Sequence, residues 1–295
     1  MSAAYDSNEI TRAYFDSLLV KTAYIDSDIP DTKMQLWGKT FSMPVMTAAL
    51  SHLHKICPNA MAEYAKGAKM AEAVGFVGMG EDEEVRQMTA TGCDLVKIIK
   101  PHEDNKIVFH KIEQAISCGV FAVGMDIDHA YNQNGGYDNV MGLPMKSKSL
   151  SEMKEFVAAA GKTPFVVKGV LSEKDAEKCV EAGAAAILVS HHHGIMPYSV
   201  PPLLVLPQIK KAVGDSVKIF VDCGIESGMD VYKALALGAD AVCVGRNLMG
   251  PLENGAEGVA ARLRALCGEL AGIMARTGCH SLAEVDSSML VKRNF

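Results

Sequence analysis

At 295 residues, 49% hydrophobic, with a formal net charge of -6 at pH 7, the chain can bury a large α/β core. It carries no Lys/Arg block to mark nucleic acid or an anionic membrane surface as its partner. No apolar leader and no run of 18 apolar residues occurs, so neither a signal peptide nor a membrane span is expected. The eight cysteines form no CxxC pair and lie mostly inside helix or strand patterns (Cys118, Cys179, Cys243, Cys267), which fits reduced thiols in a cytoplasmic protein that acts on a small molecule.

In chain order, residues 1–40 are polar and irregular apart from Trp37 and read as an N-terminal cover on a domain spanning 41–295. From Pro44 one pattern recurs: an apolar strand, a loop, an amphipathic helix, a glycine, then the next strand. Strands are expected to begin at Pro44, Gly75, Asp94, Val120, Pro164, Ala184, Val217 and Asp240, after helices closed by Gly75, Gly92, Gly119, Gly161, Gly183, Gly214 and Gly238. Eight buried-type strands alternating with helices fit a single (β/α)₈ TIM barrel, with an open doubly wound sheet as the alternative. The loop between Asp126 and Ser149 is long and rich in Asn, Gly and Met. A final helix is expected over residues 256–277.

In parallel α/β folds ligands sit at the carboxyl ends of the strands, and the chemistry-bearing residues fall there. Asp126 ends strand four, Lys168 strand five, Ser190 to His193 strand six, Asp222, Cys223 and Gly224 strand seven, and Gly245 and Arg246 strand eight. Singly, each reads equally well as a solvated lysine, a helix cap or a turn glycine. Together on one rim they define a site. The loops DCGIESG and VGRN offer glycine-freed amides, a helix N-terminus and Arg246 as a phosphate cradle, opposite Lys168. Flavin mononucleotide fits that span.

The motifs VVKGVLSEKDA, AAILVSHHHG, VDCGIESGMDVYKALALGADAVCVGR and the L-x-x-x-M-x-x-x-G-C-x-S-L pattern at 270–282 resemble the FMN-dependent α-hydroxy-acid oxidases and dehydrogenases, the glycolate and lactate oxidase group, over residues 8–282. The resemblance implies FMN as cofactor and hydride transfer to it, with His192 as active-site base and Asp126 as its carboxylate partner. It implies Lys168 at the flavin N1/O2 edge and main chain at Ala48, Ala49 and Leu50 against the ring. Ser190 and Asp222 would frame the site, and Gly224, Gly245 and Arg246 would hold the phosphate. It also implies a homotetramer.

Departures from the family pattern are specific. Where the family's strand-six loop carries an arginine for the substrate carboxylate, Ile195 stands here. Glu226 replaces a phosphate-binding arginine, Lys97 takes the place of a strand-three glutamine at the cofactor, and Gly124 that of a threonine. Ile195 cannot form a bidentate charge-assisted fork, so lactate and glycolate are expected to be poor substrates. The substrate is expected to be bulkier or less acidic, contacted by His191, His193, Ile195 and Tyr198, with Met141, Met145 and Met196 nearby. Three alternatives stay open: a flavin-dependent isomerase, metal-assisted chemistry at His191, His192, His193, His129 and Asp128, and a catalytically silent ligand-binding barrel. No metal is expected, because consecutive residues of a strand point to opposite faces.

Overall fold

A computed structural model describes residues 5–294. Short, mainly apolar runs, with Lys97 and Lys168 as the charges inside them, form the eight strands of one parallel sheet: β1 (Val45–Thr47), β2 (Gly75–Val77), β3 (Leu95–Ile99), β4 (Ala122–Asp126), β5 (Phe165–Val170), β6 (Ala186–Val189), β7 (Lys218–Val221) and β8 (Ala241–Val244). Their hydrogen-bonded order is β1-β8-β7-β6-β5-β4-β3-β2. The two ends of that order meet through a Leu50–Val77 bridge and a Thr47 N–H donated to the Val74 carbonyl at 3.2 Å. The sheet is therefore a barrel, and the open doubly wound alternative is excluded.

Helices follow the strands as α2 (Ala60–Met70), α3 (Asp82–Ala90), α4 (Asn105–Ser117), α5 (Leu150–Ala160), α6 (Glu173–Glu181), α7 (Pro202–Val213), α8 (Gly228–Ala236) and α9 (Gly255–Arg276). Short polar side chains start several of them. Ser149 and Glu152 form a reciprocal capping box on α5, and Ser172 caps α6 by accepting the Asp175 N–H at 3.2 Å. Six of the seven expected glycine turns have positive φ. The exception is Gly75, which is buried inside β2, while Glu72 takes the left-handed turn at φ 54°.

Because strand side chains alternate faces, the core has two layers. Phe76, Val96, Ile98, Ala122, Val166, Leu188 and Phe220 fill the barrel interior. Leu95, Ile99, Val123, Val167, Ile187 and Ile219 pack outward against the helices. Burial on both faces is why the strands read as continuous apolar runs.

The N-terminal segment corrects the sequence reading. It is not irregular: α1 (Ser7–Ser17) is capped by Asp6, which accepts the Asn8 N–H at 2.8 Å, and it buries Thr11 and Phe15 on the barrel. Leu18–Val20 then pairs antiparallel with Leu290–Lys292 near the other end of the chain. A hairpin of Met34–Leu36 and Lys39–Phe41 closes the amino end of the barrel, where Trp37 lies 5.3 Å from Phe121 and 6.1 Å from Phe220, ring centre to ring centre. Residues 1–4 of the expected cover lie outside the described residues.

Candidate active site

Alternation places Ala48, Gly78, Lys100, Asp126, Lys168, Ser190, Asp222 and Gly245 on the inward face at the carboxyl rim, two residues beyond the interior-filling layer. Register puts Lys168 beside Asp126 directly. At Gly169 β5 bulges: its pairing with β6 skips this residue, which has φ +92°, and a Cβ there would fall 2.5 Å from the Asp128 carboxylate. The missing side chain is what lets Asp128 reach the cluster from the fourth loop.

Four charged groups converge there. His192 Nδ1 lies 2.7 Å from Asp128 Oδ1, 3.3 Å from Asp126 Oδ2 and 3.0 Å from Lys168 Nζ. Lys168 Nζ stands 3.7 Å from Asp126 and 3.9 Å from Asp128, facing two buried carboxylate oxygens that have no hydrogen-bond partner among the described residues. Lys100 donates to Asp126 Oδ2 at 2.7 Å. The ring of His129, itself 3.0 Å from Asp138, meets the His192 ring edge-on at 4.4 Å.

Burial sets the electrostatics of this cluster. It opposes the charge on Asp126, but Lys168 and hydrogen bonding hold that carboxyl well below its usual range. Asp128, buried and facing the Asp126 charge, is pushed up. Burial also opposes the imidazolium of His192, yet hydrogen bonds to Asp126 and Asp128 outweigh it and raise the pKa. Lys168 is likewise raised against its burial by Asp126 and Asp128.

The three consecutive histidines do not converge. His192 and His193 have φ of 48° and 58°, a backbone rarely adopted by side-chain-bearing residues, and the kinks send each ring to different partners. His191 sits between Thr11 Oγ1 at 2.8 Å and the Gly194 N–H at 2.9 Å. His193 contacts Asn8 Oδ1 at 2.6 Å and Arg246 at 2.5 Å. The Ser190 hydroxyl accepts the His192 N–H at 3.1 Å and so fixes the turn.

A cavity of about 490 Å³ opens beside this cluster, lined by Ala48, Ala49, Leu50, Lys168, His192, His193, Asp222, Gly224, Gly245 and Arg246. Most of the expected cofactor residues thus share one chamber. Helix α1 adds Asn8, Thr11 and Arg12 to the lining; sequence reading missed all three. Gly224 has φ +86°, and a Cβ there would press on Thr11 and Phe15 at 3.0 and 3.1 Å, so the glycine is what lets α1 close over the cavity.

Several expected residues lie elsewhere. Lys97 is on the opposite face of β3 from Val96 and Ile98, outside this cavity, and donates to the Gly78 carbonyl at 2.5 Å. Burial, with Lys111 nearby, pushes its pKa down to about 8. His191 and Ile195 do not line the cavity, and Tyr198 is 67% exposed with its ring 6.3 Å from Tyr5. Met145 is fully buried and Met196 is exposed. The N-terminus of α8 is not free for phosphate: Asp230 accepts the N–H groups of Glu226 and Ser227, and Glu269 accepts that of Gly228.

A barrel with a lysine-centred carboxylate and histidine cluster beside a glycine- and arginine-lined cavity defines a flavin-type oxidoreductase class. The chain belongs to the FMN-dependent dehydrogenase family, whose model matches residues 4–161 and 149–292. A 2-hydroxyacid oxidase of Dictyostelium discoideum is 26% identical over 94% of this chain and 80% of the relative. Glycolate oxidase 3 of Arabidopsis thaliana is 28% identical over 88% and 81% respectively. A mandelate oxidase variant solved with 2-hydroxy-phenylacetamide superposes with a TM-score of 0.88 at 25% identity, covering 99% of this chain and 91% of that one. A second, carrying a monooxide FMN adduct, gives 0.87 at 26%, covering 99% and 93%.

The expectation of an FMN-dependent oxidoreductase of the CH–OH-acting kind is thereby met at the level of the family. The residues present fit FMN: the cavity is large enough for a planar cofactor, with the buried ammonium of Lys168 and the guanidinium of Arg246 both on its lining. Among the described residues no helix is long and apolar enough to cross a membrane.

Proposed function

We propose that the protein oxidises the CH–OH group of a 2-hydroxy acid bulkier than lactate or glycolate, with His192 as the base that takes the hydroxyl proton. The observation that carries this is the placement of His192. Its Nδ1 is held by two buried carboxylates, and Nε2, which has no hydrogen-bond partner among the described residues, is left as the atom for substrate. A raised pKa gives the ring the proton affinity a general base requires.

Bound FMN would accept the hydride released from the substrate carbon. Lys168 supplies fixed positive charge on the cavity wall, where negative charge accumulates during that reduction. Asp126 and Asp128 orient His192 and stabilise its protonated form. Arg246, Gly224 and Gly245 would hold the phosphate, with Arg12 nearby but already engaged at 2.9 Å by Asp230. The single-arginine fork for a carboxylate has no counterpart at Ile195, which favours a substrate held by other means. By family resemblance and free cysteines, we assign a cytoplasmic homotetramer, to be checked by sedimentation.

The test is anaerobic bleaching of the flavin by a panel of hydroxy acids, their esters and uncharged alcohols. Hydroxy acids with bulky apolar substituents are expected to bleach it at least about 10-fold faster than lactate or glycolate. Rapid bleaching by lactate and glycolate would overturn the substrate assignment. Turnover of substrate with no electron acceptor present would replace oxidation by isomerisation.

A further inference from the structure

A second cavity, of about 340 Å³, lies under the fourth loop at the ends of β2 and β3. Its walls are largely apolar, with Met79, Ile99, Met141 and Leu143 among them, and its polar lining includes Lys100 and His102. We propose that this chamber receives the carboxylate and side chain of the substrate, with Lys100 as the cation that pairs with the carboxylate. The proposal rests on the hydroxy-acid reading above and names the subsite which that reading leaves unassigned.

Position is the first argument. Lys100 Nζ and His192 Nδ1 are 2.7 and 3.3 Å from the same oxygen, Asp126 Oδ2, so Lys100 stands no more than 6.0 Å from the Nδ1 side of the imidazole whose Nε2 is the proposed base. A 2-hydroxy acid carries its hydroxyl and carboxylate on adjacent carbons. It can therefore present one to His192 and the other to Lys100. An ammonium has three N–H donors, and Asp126 takes one of those of Lys100. The side chain is 12% exposed, so a carboxylate there would be met by a largely desolvated charge.

Unsatisfied polarity is the second. His102 is 2% exposed, and its Nδ1 is buried with no hydrogen-bond partner among the described residues. Burial, with Lys111, Lys148 and Lys100 around it, pushes its pKa down to about 4, so the ring is neutral. A buried polar atom left unpaired is costly; a rotation of the ring toward the chamber that it lines would bring this nitrogen to a ligand oxygen or hydroxyl.

The chamber's walls set the class of side chain. Met141 lines it from the loop and is 70% exposed on its other side, so the roof is a flexible thioether that adapts to an apolar group of variable length. The ligand class is a 2-hydroxy acid with an apolar aliphatic or aromatic substituent.

The experiment uses the FMN-loaded protein and two carboxylates that cannot be oxidised at a CH–OH group, oxalate and benzoate, titrated by the flavin difference spectrum. Lys100→Met is expected to weaken both by about 10- to 100-fold, the loss of one charge-assisted hydrogen bond, while Lys100→Arg restores binding to within a few-fold. With the best hydroxy acid of the panel, Lys100→Met should raise KM far more than it lowers kcat. Met141→Trp should fill the chamber and weaken benzoate more than oxalate, with folding checked by the melting temperature because Met141 has φ 54°. Unchanged carboxylate binding in both Lys100→Met and Met141→Trp would overturn the assignment. If carboxylates depend on Lys100 but no hydroxy acid bleaches the flavin, the oxidation reading fails and the chamber stands. Bleaching at wild-type KM in Lys100→Met would do the opposite, leaving oxidation in place and removing Lys100 from substrate binding.

Discussion

The two halves of the rim are built from different materials. Strands β5 to β8 present backbone and short side chains, with Gly224, Gly245 and Ser190 at turns and charge at Lys168, Asp222, Glu226 and Arg246. Strands β2 to β4, with helix α4, present long cations, Lys97, Lys100 and Lys111, against the carboxylates of Glu81, Glu84 and Asp126. On the proposed reading, a cofactor of fixed shape would be held by loops whose conformation glycine permits, and such loops announce themselves in sequence. A substrate would be held by the tips of flexible side chains, and their reach is set by register. Asp126, His192 and Lys168 stand at the seam and belong to both halves.

Removing the base at the seam should have the largest effect. His192→Ala is expected to lower turnover by about 10²- to 10⁴-fold while the flavin content of the purified protein stays the same. Equal turnover in wild type and variant would take His192 out of the chemistry.

Lys168→Met comes next. It leaves Asp126 and Asp128 facing each other without their shared cation, a loss of about 3–5 kcal/mol of stability in urea unfolding, with weaker FMN retention by equilibrium dialysis. Full stability would mean that the cluster does not depend on the ammonium.

The carboxylates separate by pH. Either Asp126→Asn or Asp128→Asn removes a partner that holds the His192 pKa up, so the imidazole loses its proton at lower pH. The acid limb of kcat/KM should then move to lower pH. Asp128→Asn should do so with under about 10-fold change in the plateau rate, since Asp126 still orients the ring; Asp126→Asn should also slow the plateau. An acid limb that moves upward, or does not move in either variant, would break the pairing.

At the small end, Tyr198→Ala removes a side chain that packs on Tyr5 in solvent. Stability within about 0.5 kcal/mol of wild type and unchanged KM are expected, and a raised KM would restore Tyr198 to the substrate site.

Much of the fold was legible because strands buried on both faces leave a plain signature: all eight begin within two residues of the expected positions. That Lys168, Asp222, Gly224, Gly245 and Arg246 would share one rim was legible for the same kind of reason, since each lies at or just past the carboxyl end of a strand, and they line one cavity. Lys97 was misplaced by parity. A one-residue slip in a strand reverses the face, and counting from Ala122, Gly124 and Asp126 across the register to Val96 and Ile98 would have pointed to Lys100 instead. Gly124 itself leaves no room for the family's threonine, because a Cβ there would lie 2.0 Å from the Val166 carbonyl oxygen. Asp128 as the nearer partner of His192 was hidden for another reason: a bulge in a different strand, at Gly169, admits it. Helix α1 was hidden because its buried stripe is only Ser7, Thr11 and Phe15, too polar to stand out.

That helix ties a terminal strand pair to the larger cavity. Leu18–Val20, leaving α1, is stitched to Leu290–Lys292, while Asn8, Thr11 and Arg12 form one wall of the chamber proposed for the flavin. Leu290–Lys292 therefore act as a latch on α1, with Lys292 over the Tyr14 ring at 5.9 Å and the Arg293 N–H donated to the Ser17 carbonyl at 2.7 Å. Cutting the chain after Met289 would leave every barrel strand and every charged residue of the cluster in place, yet it would remove one of the ties that hold α1, leaving those through Arg12, Thr11 and Phe15. Flavin escape into excess apoprotein of a related flavoenzyme would time that latch, running faster in the shortened protein while the barrel's own melting temperature stays nearly unchanged.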